Sequence, residues 1–297
     1  MLIKRAGYAL LLVLGSATSG AQSPNTDIYL APLHITADSI IVGRAINITH
    51  RTGYNNQPSF HPDARAILYT ADDSAGRTDI WRYDIATKRT TRVTSTPESE
   101  YSPTVMPGGA RFSVIRVERD STQRLWSFAL DGSDPQLVLR DLKPVGYHAW
   151  LDSTHLVAFV LGSPSTLHLI GRDGRGDTIV ARDVGRSLAR VPKYGGYGYT
   201  KRDGAGKLVL MYATSRDSAA VATIRAPDDN EFFAVSGDGV LLSASNGKLL
   251  RWNDDTGPGS AWKVVADLSA NGVRNISRLA VSLDDRWLAF VAEPMAP

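Results

Sequence analysis

Six histidines are the residues most able to do chemistry in this 297-residue chain, which contains no cysteine. No two of them lie three or four residues apart, so the paired-ligand spacing of a helical zinc site is missing. Strands from distant parts of the chain could still bring several of them together. His148 is then the best single metal-ligand candidate, although a structural or solvent-facing role is the ordinary expectation for a lone histidine.

Other catalytic patterns are missing as well. The chain carries no G-x-S-x-G nucleophile elbow and no D-x-D-x-D-G calcium loop. The glycine cluster Gly195–Gly198 lacks the third glycine of a dinucleotide-binding fingerprint. Acidic pairs such as Asp72-Asp73 sit at predicted strand ends, where carboxylates usually cap turns. We therefore assign no catalytic residue, no metal ligand and no cofactor.

The elements that must position any site come from a repeat. The stretch Gln57–Asp84 returns in degraded form as Ser102–Asp131, and the matching residues Phe60 and Val105 are 45 positions apart. A period of about 45 residues with four short apolar strands is typical of a β-propeller blade. Residues 22–297 divide into roughly six such units, so the sequence predicts an all-β, six-bladed propeller in one domain.

The last unit predicts how the ring closes. Ser277–Ser282 and Arg286–Ala292 supply two inner strands, after which the sequence offers no outer pair. Thr26–Leu33 and Ile40–Thr49 match the missing outer strands. We expect the N-terminal strands to complete the last blade, because closure removes exposed sheet edges.

Residues 1–21 have the pattern of a cleavable signal peptide. Lys4 and Arg5 precede the apolar run Ala9–Leu14, and Ser19 and Ala21 fit the small positions before a cut after Ala21. A periplasmic or secreted protein is expected, without an integral membrane segment after processing. Removing two basic residues leaves a nearly neutral chain, which argues against nucleic-acid binding.

The repeat resembles the WD-like repeat of TolB and of prolyl-oligopeptidase-type propellers. The resemblance lies in Pro58–Asp63 and Asp79–Trp81, and it covers nearly all of residues 22–297. Phe60, His61 and Ala64 depart from the Trp-Ser and Gly of the family pattern. The resemblance implies the TolB-like fold but little about function, because the motif's Pro and Asp shape a hairpin.

The connections from an outer strand to the next inner strand are predicted to gather at the channel mouth. Their tyrosines and charged residues have the composition of contact surfaces; they are Arg51, Tyr54, Asn55, Glu100, Tyr101, Lys143 and Tyr147. As the binding site we select Arg51, Tyr54, Tyr101, Tyr147 and His148.

The resemblance in fold and the missing catalytic patterns favour a monomeric, non-catalytic module that binds a protein or peptide through the channel-mouth face. Two enzyme-related alternatives stay open. One is a propeller enzyme acting on a carbohydrate or small ester with a channel metal, which would need His148 near at least two acidic residues. The other is an orphaned peptidase-type propeller whose catalytic domain is a separate chain.

Overall fold

A computed structural model describes residues 24–36, 39–213, 222–253 and 261–294. In these residues the chain forms six antiparallel sheets. Its helical structure there is confined to two 3-10 turns, Pro227–Asp229 and Ser269–Asn271. Within the described ranges, no helix has the length and apolar character needed to cross a membrane. The predicted signal peptide, residues 1–21, falls outside these ranges.

Each sheet is one blade, whose strands follow one another from the central axis outward. The innermost strands are β4 (Asn55–Phe60), β8 (Ser99–Val105), β12 (Val145–Trp150), β16 (Val184–Arg190), β20 (Phe233–Val235) and β24 (Leu279–Val281). The second strands are β5 (Ala66–Asp72), β9 (Arg111–Val117), β13 (His155–Val160), β17 (Tyr197–Arg202), β21 (Leu241–Ser245) and β25 (Trp287–Ala292).

The outer half of each blade completes the sheet. The third strands are β6 (Thr78–Asp84), β10 (Gln123–Ala129), β14 (Thr166–Gly171), β18 (Leu208–Ala213), β22 (Lys248–Asn253) and β1 (Asp27–Ile35). The outermost strands are β7 (Thr90–Arg92), β11 (Gln136–Leu137), β15 (Thr178–Arg182), β19 (Ala222–Arg225), β23 (Ala261–Asp267) and the pair β2 (Ile40–Val42) and β3 (Ile46–Asn47).

The innermost strands form a ring. Each contacts the next in chain order, from β4 through β8, β12, β16 and β20 to β24, and β24 in turn contacts β4. The prediction of an all-β, six-bladed propeller is confirmed.

The sixth sheet joins strands from the two ends of the sequence. Strand β1 pairs antiparallel with β25, with Asp27 opposite Ala292 and Pro32 opposite Trp287. Strands β2 and β3 both pair with the other edge of β1. The single outer strand predicted over Ile40–Thr49 is therefore divided. The division lies near Pro32, which has no N–H for the ladder and accepts one hydrogen bond from the Gly43 amide at 2.8 Å.

The core consists of six clusters of buried side chains in the described residues, one between each pair of adjacent blades. Alternation along each strand sends side chains to two different clusters. In β25, Leu288 and Phe290 pack toward the fifth blade, whereas Ala289 and Val291 pack toward the first. A middle strand is thus apolar on both faces, which explains why its sequence reads as an unbroken apolar run.

The repeat motif shapes the hairpin between the first two strands of a blade. Asp63 accepts a hydrogen bond from the Arg65 amide at 2.9 Å, and Asp152 accepts one from the Thr154 amide at 2.7 Å. The aspartate is an Asx-turn residue, as expected from the resemblance.

The fourth blade holds a strand that the sequence did not indicate. Strands β17 (YGYTKR) and β18 (LVLMYA) contain the aromatic and β-branched residues typical of strands. The inner strand β16 is hard to recognise from the sequence, because VGRSLAR lacks the Pro and Asp of the motif. Its pairing with β17 is also interrupted between Val184 and Leu188.

Candidate functional site

A cavity of about 170 Å³ lies on the propeller axis. All six blades line it, through the innermost strands and the residues just before them. The lining residues are Gln57, Pro58, Ser59, Ser102, Pro103, Thr104, Tyr147, His148, Arg186, Ser187, Leu188, Phe232, Phe233, Arg278 and Leu279. Because every blade contributes, the cavity is part of the central channel.

A second hollow, of about 680 Å³, lies elsewhere and is shallower. It is lined only by hairpin turns of the third blade, within 153–155 and 171–176. Its polar groups serve the turns themselves: Asp173 accepts a hydrogen bond from the Arg175 amide at 3.0 Å. The channel is the better candidate because side chains from six separate elements converge there.

Bulges in the innermost strands shape the channel wall. Pairing of the first two strands is interrupted in the first four blades, at Asn56–Ser59, Tyr101–Thr104, Val145–Tyr147 and Val184–Leu188. Gln57 and Ser102, which are 45 positions apart, both have positive φ, at 58° and 53°. Left-handed non-glycine residues are uncommon and re-aim side chains at bulges. The Gln57 carboxamide oxygen accepts hydrogen bonds from the Thr70 hydroxyl and the Ser102 amide, both at 2.8 Å, which ties the first two blades together.

Arg278 is held in the channel by two aromatic rings. Its guanidinium carbon lies 4.2 Å from the Phe232 ring centre and 5.0 Å from that of Tyr147. One guanidinium nitrogen donates a hydrogen bond to the Tyr147 hydroxyl at 3.0 Å. Among the described residues, no carboxylate forms an ion pair with Arg278. The sixth, third and fifth blades therefore meet around one partly buried positive charge.

The second channel arginine is neutralised. Two guanidinium nitrogens of Arg186 lie 2.8 and 3.0 Å from one oxygen of Glu231, and the other oxygen accepts a hydrogen bond from the Arg186 amide. Gly185 makes this approach possible, since a Cβ there would lie 2.7 Å from the Glu231 carboxylate and 2.3 Å from the Thr200 hydroxyl. Among the residues that the structure describes, the channel therefore has one paired arginine and one without an anion.

The three selected tyrosines come together. Tyr54 is partly buried just before β4, and burial raises its pKa above the ordinary value, against the opposing effect of Arg278. Tyr147 and Tyr101 are close enough to raise that pKa further. Tyr54 is therefore a neutral hydroxyl at physiological pH. Only Tyr147 lines the cavity itself.

His148 lies in the channel wall and is buried, with 7% of its surface exposed. Its Nε2 lies 2.7 Å from the Ser113 hydroxyl, which also accepts a hydrogen bond from the Trp150 indole at 2.9 Å. Burial lowers the pKa of His148 to about 3, so the ring is neutral at physiological pH. The Nδ1 atom has no hydrogen-bond partner among the described residues.

Several residues of the predicted mouth loops belong to strands and are buried or partly buried. Glu100 and Tyr101 belong to β8, because the bulge lets this strand begin at Ser99. Glu100 is fully buried and accepts a hydrogen bond from Arg116 at 3.1 Å, so it offers no contact surface. Asn55 is also buried, and it donates a hydrogen bond to the Thr26 carbonyl at 2.8 Å.

Two further residues of the predicted mouth loops, Arg51 and Lys143, are half-buried and exposed, respectively. Arg51 lies away from the cavity lining, where it forms an ion pair with Asp72 at 3.2 Å and donates a hydrogen bond to Asn55 at 3.1 Å. Lys143 is exposed before β12. The binding role of Arg51, Tyr54, Tyr101, Tyr147 and His148 stays a prediction.

No group of three His, Asp or Glu side chains that could hold a metal ion occurs in the described ranges. The convergence of His148 with two acidic residues, which the metal-enzyme alternative requires, is therefore not seen there.

Sequence reasoning missed Arg186, Phe232 and Arg278. All three stand in or immediately before an innermost strand, as do the predicted residues Tyr54 and Tyr147. A search for charged and aromatic residues at this position in every blade could have found them.

No family model matches the sequence, and no curated protein matches it either. Solved structures do match. One described as TolB from Agrobacterium tumefaciens has 14% identity and a TM-score of 0.66, covering 91% of this chain and 99% of that chain. A gluconolactonase from Xanthomonas campestris has 12% identity and a TM-score of 0.61, covering 94% and 99%. An oligogalacturonate lyase in complex with manganese has 14% identity and a TM-score of 0.53, covering 84% and 79%.

The six-sheet ring around a polar channel defines a β-propeller. The likeness to the solved structures specifies it further: the chain has the TolB-like β-propeller fold. At these identities the likeness concerns the fold alone, because one propeller fold serves unrelated functions.

Proposed function

We propose that the chain is an exported, non-catalytic module that binds a protein or peptide through the channel-mouth face. The observation that carries the proposal is the convergence of side chains from all six blades on one small channel cavity. Tyr147, Phe232 and Arg278 are of the residue types that anchor protein interfaces. The 170 Å³ cavity could admit one side chain or chain end of a partner, whereas the surrounding face would contact the rest.

Photo-cross-linking tests the proposal. A photoreactive residue at Thr52 or Lys143, both exposed near the mouth, should capture a partner from the extracytoplasmic fraction of the native host. Tyr194 provides the matched control, because it is 60% exposed in the connection between β16 and β17, at the opposite end of the channel. Equal capture from Tyr194, or capture from neither mouth position, would contradict the proposal.

Export is proposed from the pattern of residues 1–21, and the TolB resemblance is in keeping with a periplasmic or secreted location. The intact mass and N-terminal sequence of the protein purified from its host should correspond to a chain that begins at Gln22. A chain that retains Met1 would refute cleavage after Ala21.

The metal-enzyme alternative has its own test. A manganese-bound lyase shares the fold, but His148 lacks acidic neighbours of the kind a metal site needs among the described residues. Elemental analysis of the purified protein should find no stoichiometric divalent ion. One ion per chain, lost on substitution of His148, would favour the alternative.

A further inference from the structure

We infer that Arg278, on its platform of Tyr147 and Phe232, is the carboxylate-binding subsite of the channel and takes the carboxylate of a peptide ligand. This inference rests on the proposed function and names the ligand chemistry of the same site.

The first argument is the unbalanced charge of Arg278. A guanidinium has five N–H donors in a planar fork that matches a carboxylate. One of these donors is used on the Tyr147 hydroxyl at 3.0 Å. Arg186, the other channel arginine, is held by Glu231 at 2.8 Å, and the neutral His148 adds no charge. In the described part of the channel, Arg278 is therefore the cation without a counter-charge.

The second argument is the rigidity of Arg278. Rings on both the third and the fifth blade lie within 5.0 Å of its guanidinium carbon. Contact with two rings restricts the guanidinium before any ligand arrives, so less side-chain entropy is lost on binding. A merely solvated surface arginine would need no such support from two other blades.

The third argument comes from unsatisfied polar atoms in the cavity wall. Ser102 Oγ and His148 Nδ1 are buried without a hydrogen-bond partner among the described residues, and both residues line the cavity. Buried polar atoms generally find partners, so these two atoms have hydrogen-bonding capacity that a group bound in the cavity could use.

One of the two neutral tautomers of His148 suits an anionic ligand. The Ser113 hydroxyl lies 2.7 Å from Nε2 but 3.2 Å from the Thr104 carbonyl oxygen. If the hydroxyl donates along the shorter contact, Nε2 is the acceptor and the proton of the neutral ring is on Nδ1. The unpartnered atom is then a donor, as a carboxylate requires.

The cavity size limits the carboxylate's source. At about 170 Å³ it exceeds the roughly 30 Å³ that one water occupies in the liquid, yet it is far too small for a folded segment. A partner must therefore insert either an acidic side chain or its C-terminal carboxylate.

Three capped tetrapeptides test the inference. One has a glutamate side chain and an amidated C-terminus, one has glutamine in its place, and one has glutamine with a free C-terminal carboxylate. Each is titrated into the processed chain while the Arg278 Nε–Hε resonance is followed by NMR. At least one acidic peptide should bind about tenfold or more tightly than the neutral one, because it alone forms a charge-assisted hydrogen bond. The tighter of the two acidic peptides identifies the source of the carboxylate.

Variants then assign the effect. R278Q should reduce the affinity of the acidic peptide to that of the neutral one. R278K should lose most of it as well, since lysine lacks the fork and the stacking. R274Q is the matched control, because Arg274 is exposed in the same connection and the net charge changes equally. It should bind as the parent does.

Equal binding of the acidic and neutral peptides would overturn the inference, as would an Arg278 resonance that none of them shifts. An equal loss in R278Q and R274Q would do the same. The outcome is separable from the proposed function. If the acidic peptides bind no better than the neutral one but the photoreactive residue at Thr52 captures a partner, the chain is a protein-binding module without a carboxylate subsite. If the acidic peptides bind selectively but no partner is captured, the subsite is supported and the protein partner is not.

Discussion

Two arginines of this propeller occupy similar aromatic settings and differ in their counter-charge. Arg116 lies 4.7 Å from the Trp126 ring centre and 5.1 Å from that of Phe128. Its partner Glu100 is fully buried and lies 3.1 Å away. Arg278 has the same kind of aromatic support in the channel, yet no carboxylate of the described residues pairs with it.

The difference separates a structural charge from an available one. Glu100 also accepts hydrogen bonds from Thr96 and Thr94, at 2.5 and 3.1 Å, and burial raises its pKa while these partners oppose the rise. Both carboxylate oxygens of Glu100 are therefore engaged inside the fold. His148 differs from both arginines, because it is buried and its surroundings keep it neutral. We expect substitutions at the three positions to differ accordingly.

The largest effect should come from removing the strands that complete the blade of Arg278. Deleting residues 22–48 leaves β25 without β1 and exposes its edge, so aggregation or rapid proteolysis is expected. The measurement is size-exclusion chromatography with limited proteolysis. A stable monomer with parental protease resistance would show that the sixth sheet does not depend on these strands.

Arg116→Met should be the most damaging single change, since it leaves Glu100 buried without its cation. Breaking a buried pair in this way costs about 3–5 kcal/mol of unfolding free energy. Denaturant unfolding measures the loss. The contrasting pair is the partly buried Glu98 with the exposed Arg119, 3.6 Å apart, where Glu98→Ala should cost less than about 1 kcal/mol. Similar losses in both variants would remove the distinction between the two pairs.

Because of His148, the unfolding free energy should depend on pH in the acidic range. Its folded pKa of about 3 lies below the ordinary value of about 6.5, so the unfolded chain binds more protons between these pH values. The unfolding free energy should therefore fall as the pH drops through this window, by up to about 1.4 kcal/mol per pH unit. His148→Gln should flatten this slope, whereas His155→Gln on the same blade should not. A slope that His148→Gln leaves unchanged would refute the assignment.

Arg278→Met should have the smallest effect on stability. No carboxylate of the described residues loses its partner, and methionine keeps apolar contact with Phe232 and Tyr147. We expect the unfolding free energy to stay within about 1 kcal/mol of the parent value. A loss as large as that of Arg116→Met would mean that Arg278 is a structural charge after all.

The fold was largely predictable because the repeat imposes the same apolar pattern on most blades. The predicted strands Thr26–Leu33 and Arg286–Ala292, for example, correspond within two residues to β1 and β25. The inner strand of the fourth blade was not, since its bulged sequence lacks the motif. The sequence pattern therefore predicts a strand correctly where that strand pairs regularly with its neighbours.

The cavity lining was only partly predictable. Tyr147 and His148, which were selected from the sequence, line it, but so does Arg278, which was not selected and is 131 residues from Tyr147 along the chain. Two causes combine. Bulges decide which side chain of an inner strand faces the axis, and the closing of the ring decides which blades face each other. Neither the bulges nor the closing of the ring can be read from the sequence, whereas the residue just before each innermost strand can.

The pairing of β1 with β25 also affects how the protein can fold. The Tyr29 hydroxyl donates a hydrogen bond to the Glu293 carbonyl oxygen across a separation of 264 residues. Such remote contacts form slowly, because a long loop must close before they stabilise anything. Strands β2 and β3 can cover one edge of β1 early in synthesis, but the other edge has no partner until β25 emerges, so it stays exposed for most of the chain's production. We expect this chain to rely on chaperones that shield strand edges until its two ends meet.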